Sequence, residues 1–184
     1  MSAIKDDPGL VERLRQPESC RAAFADVMRT YGPPLYHQIR RIVQTHEDAD
    51  DLLQNTFVKA WQNLEYFRGD AKLSTWLHKI AINESLSFLA RERRRANLSL
   101  DDQESALINT IESDTEIDGD RAALLLRQAV ASLPEKQRLV FNMKYYDEMK
   151  YDEMSEILGT SVGALKASYH LAVKKIEKFV NEHE

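Results

Sequence analysis

One cysteine, Cys20, in 184 residues excludes an internal disulfide and fits a reducing compartment. Six glycines and five prolines leave several long stretches of Leu, Ala, Glu, Lys and Arg without a helix breaker. No run alternates apolar and polar residues over strand length, so an all-α fold is expected. No segment approaches the roughly 18 uninterrupted apolar residues of a membrane span, so no direct membrane insertion is expected. The charged opening MSAIKDDPG lacks the apolar centre of a signal peptide, and a cytoplasmic protein is expected. The five histidines, His37, His46, His78, His170 and His183, form no metal-spaced cluster such as HExxH. There is no glycine-rich phosphate loop, and Cys20 has no sequence-local partner. The expectation is therefore no metal, no cofactor, no catalytic residue and no enzyme.

What the chain does have is 43% hydrophobic residues, enough to furnish real cores, and a net charge of −5 that is unevenly distributed. Residues 1–96 carry 15 Lys and Arg against 13 Asp and Glu, a net of +2. Residues 97–120 carry none against 8, and residues 121–184 carry 10 against 9. The acidity belongs to the middle segment, which leaves the flanking parts free to hold local basic faces. That segment, NLSLDDQESALINTIESDTEIDGD, has no aromatic residue, no base and no sustained helical stripe, and it reads as a linker. The expected organisation is two small helical domains, 1–96 and 121–184, joined by an acidic flexible linker at 97–120.

In the first domain Pro17 is expected to open a helix with Phe24, Val27, Met28 and Tyr31 on its apolar side, broken by Gly32-Pro33-Pro34. A second short stripe follows with Leu35, Ile39, Ile42 and Val43. In THEDADDLLQNTFVKAWQNLEYF the positions Ala49, Leu52, Leu53, Thr56, Phe57, Ala60, Trp61 and Leu64 fall three and four apart, which predicts one buried face. Thr45, with Asp48 three residues on, suits a helix start. Asp50, Asp51, Gln54, Asn55, Val58 and Gln62 take the other side. A further helix follows RGDAKLS, with Trp76, Leu77, Ile80, Ala81, Glu84 and Phe88 on one side, and ends in the basic run RERRR.

In the second domain Ser132 and Glu135 have the spacing of a capping box ahead of PEKQRLVFNMKYY. The stretch YDEMSEILGTSVGALKASYHLAVKKIEKF then holds two helical runs separated only by Gly159-Thr160-Ser161. Gly159 suits the end of the first and Ser161 the start of the second. On a helical wheel Val162, Leu165, Tyr169, Ala172, Ile176 and Val180 share one side, while Gly163, Ala167, His170, Lys174 and Lys178 share the opposite one, with Lys166 at its edge. This is the pattern of a helix-turn-helix whose second helix can enter a DNA major groove. The same pattern also describes an αα-hairpin with a solvated lysine face. A DNA-binding regulator with a ligand-sensing first domain and a helical adaptor without DNA stay open at this level.

Taken in order, the acidic helix, the F-R-G-D…T-W-L turn, the A-I-N helix, the L-P-E-K-Q-R start and the helix-turn-helix resemble a bacterial RNA polymerase sigma factor of the compact extracytoplasmic-function type, group 4 of the sigma-70 family. The segment EDADDLLQNTFVKAWQNLEYFRGDAKLSTWLHKIAINESLSFLARERRR is similar to the family's region 2. The segment LRQAVASLPEKQRLVFNMKYYDEMKYDEMSEILGTSVGALKASYHLAVKKIEKF is similar to region 4. The resemblance implies that the protein binds core RNA polymerase, at the β′ clamp and the β subunit, directs it to promoter DNA and promotes melting. It implies docking on the β′ clamp by Asp50, Asp51, Gln54 and Val58. It implies capture of a flipped base of the −10 element by the FRGDAKLS turn, which holds Arg68, Gly69, Asp70 and Lys72, while Asn83 and the following helix contact the adjacent DNA; Arg68, Lys72, Lys79, Arg91, Arg93, Arg94 and Arg95 could supply cations along the separated strand's backbone. It implies −35 recognition by the helix from Ser161, with Lys166, Ser168, His170, Lys174 and Lys178. Ala167 and Ser168 stand where the family commonly has an arginine, which leaves the −35 sequence open. The acidic linker would thread the polymerase's active-site cleft and RNA exit path, and an anti-sigma factor is a further partner the resemblance suggests.

Overall fold

The computed structural model describes residues 8–43, 45–67, 69, 71–98 and 121–183, and among these all regular structure is helical. They divide into two compact units, residues 1–99 and 100–184. The linker expected at 97–120 lies, from Ser99 onward, outside the described residues; Asn97 and Leu98 still belong to a helix.

The first unit contains α1 (Pro8–Arg15), α2 (Pro17–Arg40), α3 (His46–Gln62), a short 3-10 turn (Leu64–Tyr66) and α4 (Leu73–Leu98). α1 was not expected from the sequence. Its Leu10 and Leu14 are buried in the same core as Phe24, Tyr31, Leu52 and Leu77. Gln16, extended at φ −94° and ψ 120°, turns the chain into α2, and Pro17 takes the first helical position, where a missing N–H costs nothing.

The expected break at Gly32-Pro33-Pro34 does not occur, because α2 runs through it. Phe24, Val27, Tyr31, Leu35 and Ile39 keep one stripe across the prolines, and the last three are at most 1% exposed. Burying each such side chain is worth about 1.5–3 kcal/mol, enough together to offset the roughly 3 kcal/mol or more that a helical proline costs. Met28, expected on the apolar side, is exposed.

α3 starts as expected. The Asp48 N–H donates to Thr45 Oγ1 at 3.0 Å, and the Thr45 hydroxyl donates to Asp48 Oδ2 at 2.6 Å. In α4 the expected single face resolves into two. Leu73, Leu77 and Ala81 enter the core, while Trp76, Ile80 and Glu84 are half-buried along its side. Ile82, which interrupts the outward positions in sequence, is fully buried. His78 Nδ1 and Gln38 Oε1, 2.8 Å apart, tie α4 to α2, and Lys59 pairs with Glu84 to tie α3 to α4.

The second unit contains α5 (Arg121–Ala131), α6 (Glu135–Tyr145), α7 (Tyr151–Leu158) and α8 (Val162–His183). Ala129, Val130, Leu133, Phe141, Ala172 and Ile176 form a core among α5, α6 and α8. The capping box expected at Ser132 is absent. The Ser132 and Leu133 N–H groups close α5 onto Gln128 and Val130, the Ser132 hydroxyl donates to the Ala129 carbonyl at 2.8 Å, and Pro134 precedes α6 instead. An equivalent reach-back forms one helix later, where the Lys150 N–H donates to Glu153 Oε2 at 2.9 Å ahead of α7.

Candidate functional site

Three surfaces carry the residues singled out above. On α3, Asp50, Asp51, Gln54 and Val58 are all exposed, Val58 at 53%. At about 100° per residue they span an arc of about 100°. Trp61, expected on the buried face, is 45% exposed and falls inside that arc. Its ring makes a T-shaped contact with Phe24, the ring centres 5.0 Å apart. The three-and-four spacing drifts around the helix, and by Trp61 it has moved about 140° from the buried Thr56. The result is an outward face with acids at its N-terminal end and two apolar side chains further along.

The second surface is a cleft of about 350 Å³ lined by Lys59, Asn63, Tyr66, Trp76, Ile80, Asn83 and Glu84. The end of α3 supplies Lys59 and Asn63, the 3-10 turn supplies Tyr66, and α4 supplies the rest. Trp76, expected in the core, is half-buried and packs on Phe67 with ring centres 5.0 Å apart, so one face supports the turn while the side chain also lines the cleft. The Asn63 amide donates to the Lys59 carbonyl at 2.8 Å. Aromatic side chains beside amide and carboxylate groups suit a planar heterocycle, which can stack and hydrogen-bond in one place. Of the lining residues only Asn83 was given a DNA role from sequence, while Trp76, Ile80 and Glu84 were placed on one helix face. The aromatics Tyr66 and Trp76 on either side of the expected turn were the available signal for the rest.

Gly69 in that turn has φ +81° and is exposed, while Arg68 and Asp70 lie outside the described residues. Lys72, Lys79, Asn83, Arg91, Arg93, Arg94 and Arg95 are all exposed. Lys79, Asn83 and Arg94 fall within an arc of about 60° on α4, so they form one line with the cleft. Arg93 stands about 40° to the other side of Lys79, Arg91 and Arg95 lie about 60° and 100° beyond Arg94, and Arg95 pairs with Glu92 at 2.8 Å. The Arg94 Nε–H donates to the Ala90 carbonyl at 3.2 Å.

The third surface is on α8. Gly159 ends α7 at φ +61°, the conformation that favours glycine, and its N–H bonds the Ser155 carbonyl at 2.9 Å. The Ser161 hydroxyl accepts from the Ala164 N–H at 3.3 Å and caps α8. Leu165, Ala172 and Ile176 are buried, whereas Gly163, Lys166, Ala167, His170, Lys174 and Lys178 are exposed. Ser168 is half-buried and stands about 120° from Lys174, apart from that face. Lys178 pairs with Glu182 at 3.7 Å. Lys166 and Lys144 both place their ammonium groups near the Tyr151 ring, 5.7 and 5.2 Å from its centre. Lys144 also donates to the Met149 carbonyl at 3.1 Å. The sequence reading had given no role to Lys144 or Tyr151, whose proximity to Lys166 is a tertiary fact.

Among the described residues no group of His, Cys, Asp and Glu could hold a metal ion, and no helix is long and apolar enough to cross a membrane. Two family models match the chain, sigma-70 region 2 over residues 27–95 and sigma-70 region 4 over residues 123–176. The ECF RNA polymerase sigma-E factor of Escherichia coli K12 is 30% identical over 188 residues, covering 98% of this chain and 97% of the relative. The ECF RNA polymerase sigma factor SigW of Bacillus subtilis is 28% identical over 164 residues, covering 85% and 88%. In fold the chain is similar to CnrH in its complex with the cytosolic domain of CnrY, with TM-score 0.68 and 24% identity over 97% of this chain and all of that one. It is also similar to the sigma factor RpoE of Bartonella quintana in complex with the anti-sigma factor NepR, with TM-score 0.69 and 21% identity over 86% and 96%. The two units thus carry the two regions of a sigma-70 factor, each on its own helical framework. The chain belongs to the extracytoplasmic-function sigma factors, group 4 of that family, which direct RNA polymerase to promoters and have core polymerase and promoter DNA as partners.

Proposed function

We propose that residues 1–96 dock on the polymerase and hold the opened −10 element, while residues 121–184 read the −35 element as duplex. The α3 face of Asp50, Asp51, Gln54 and Val58 meets the β′ clamp, its acids opposite basic groups and Val58 against an apolar one; Trp61 extends it. The α4 line of Lys79, Asn83 and Arg94 follows a separated strand, with Lys72 at its head and Arg91, Arg93 and Arg95 on its flanks. α8 enters the major groove by its N-terminal end, where Gly163 and Ala167 permit close approach. Lys174 and Lys178 further along meet phosphates.

The observation that carries this reading is the aromatic and amide-lined cleft at Asn83, which lies on the same line of α4 as the cations. A flipped base placed there can stack on the aromatic side chains while Asn83 bonds its edge, and extruding a base costs a few kcal/mol that such contacts must offset. The protein acts without catalysis of its own, working in the cytoplasm with the polymerase. An anti-sigma factor of its own is a further partner we infer, because both RpoE and CnrH are seen in complexes of that kind or with a cytosolic partner domain.

The experiment is binding of holoenzyme to a single-stranded non-template −10 oligonucleotide. Asn83→Ala is expected to weaken it by up to about tenfold, since a hydrogen bond to the base edge is worth about 0.5–1.5 kcal/mol, with binding to a −35 duplex unchanged. Equal binding by the variant and the parent would count against the cleft as the base site.

A further inference from the structure

α1 precedes the residues matched by the region 2 model, which begins at residue 27, yet it is built into the same domain. Leu10 and Leu14 anchor it in the core. Its end is fixed from two sides. The Arg13 carbonyl accepts from the Gln16 N–H at 3.3 Å and from the Ser19 hydroxyl at 2.8 Å, and the Arg13 guanidinium pairs with Asp26 of α2 at 2.8 Å. The corner at Gln16 therefore fixes the backbone of Arg15 in place, at the last position of α1, and its side chain is exposed.

That place is against Gly69. A Cβ built on Gly69 would fall 2.7 Å from Arg15 Nη2 and 3.8 Å from Arg15 Cζ. The φ of +81° is what favours glycine at 69; the guanidinium is the far end of an exposed side chain and rests where a Cβ would begin. Gly69 lies in the connection between Tyr66 on one wall of the cleft and Trp76 and Asn83 on the other. The Lys59–Glu84 pair and the Phe67–Trp76 contact hold the helical walls, and this connection bears on where Tyr66 stands relative to them.

We propose that Arg15 is a positioning residue for −10 recognition, its guanidinium bracing the Gly69 turn so that the cleft is formed before a base enters. The inference rests on reading that cleft as the base site. A flat guanidinium can cover a residue that lacks Cβ, whereas a lysine ammonium is a compact, strongly hydrated point charge that cannot lie flat on it. Without the brace the turn must be ordered by the incoming base, and the apparent affinity falls by the fraction of molecules whose cleft is already competent.

The test compares holoenzymes carrying Arg15→Ala, Arg15→Lys, Gly69→Ala, the double variant Arg15→Ala with Gly69→Ala, and Asn83→Ala. The probe is the single-stranded −10 oligonucleotide, titrated at several salt concentrations. Arg15→Ala and Arg15→Lys are both expected to weaken binding by about tenfold, as when the competent fraction drops to about a tenth, with the salt slope and the thermal midpoint of the free protein unchanged. Gly69→Ala displaces the guanidinium, so the double variant is expected to be no worse than the weaker single one. Wild-type binding by Arg15→Ala overturns the brace. So does full rescue by lysine with a salt slope that falls by about one in Arg15→Ala, which would make Arg15 a direct phosphate contact. Loss with Asn83→Ala but none with Arg15→Ala leaves the base-site reading standing, and no loss with either overturns both.

Discussion

Tyr169 shows how one side chain of α8 answers to its surroundings. Its ring stacks on Phe141 at 5.8 Å and meets Tyr151 edge-on at 6.5 Å. Burial first, then the neighbouring Tyr151 and Tyr145, push its pKa above the ordinary 10.0, because each disfavours a phenolate. The folded chain thus holds this proton more tightly than the unfolded chain does. The associated stability is fully present below about pH 10 and is lost as the pH rises through the folded value. Tyr169→Phe is expected to flatten the alkaline fall in stability of the second unit, followed by circular dichroism in urea between pH 9 and 11 as approximate limits. Both tryptophans, Trp61 and Trp76, belong to the first unit, so tryptophan fluorescence is an internal control that the substitution should leave unchanged. An alkaline limb identical in both proteins would remove the role given to Tyr169. Other residue-scale features were legible in advance where the interaction is local. Thr45, Gly159 and Ser161 act within three or four positions of themselves, and the structure places them as their residue types imply. Ser132 has the right spacing for a cap and fails because its backbone is already committed to closing α5.

At the scale of elements, α3 is the clearest case of a helix with two distinct faces. Its inner face holds Ala49, Leu52, Thr56 and Ala60 in the core, and its outer face leaves Asp50, Asp51, Gln54, Val58 and Trp61 uncovered within the first unit. Asp50→Lys with Asp51→Lys is expected to abolish co-purification with core polymerase, because reversed charges on a docked acidic face repel rather than merely fail to attract. The thermal midpoint of the free protein should be nearly unchanged, since both side chains are exposed and surface substitutions usually stay within about 0.5 kcal/mol. Wild-type recovery of polymerase would remove the assignment. Element boundaries were the part of the fold least visible in the sequence. The prolines at 33 and 34 argued for a break that the core stripe of Tyr31, Leu35 and Ile39 overrides. α1 is eight residues long and contributes two leucines, too few to form a stripe before its partner helix is known. The cleft was hidden for the same kind of reason. Trp76, Ile80 and Glu84 have the spacing of a core face, and only the 3-10 turn with Tyr66 beside them makes that strip a site.

For the whole molecule, the division of charge and of helices gives two units, to which the proposed function assigns different forms of DNA. The order of motifs along the chain made that division and the family legible, because each motif is specified locally and the combination is specific. The geometry within each unit was less legible because it depends on side chains from separate helices, as with Lys59 and Glu84 or Lys144, Tyr151 and Lys166. On the proposed reading melting and duplex recognition are separable, the first belonging to the cleft at Asn83 and the second to α8. A holoenzyme carrying Asn83→Ala and Tyr66→Ala changes two exposed cleft residues without touching the buried core. The decisive measurement is permanganate reactivity of promoter thymines with run-off transcription, on a normal duplex and on a template with a pre-melted bubble. The expected result is promoter binding without thymine reactivity on the duplex and transcription restored by the bubble, because unstacked bases no longer have to be captured. Equal thymine reactivity on the duplex for the variant and the parent would contradict the account.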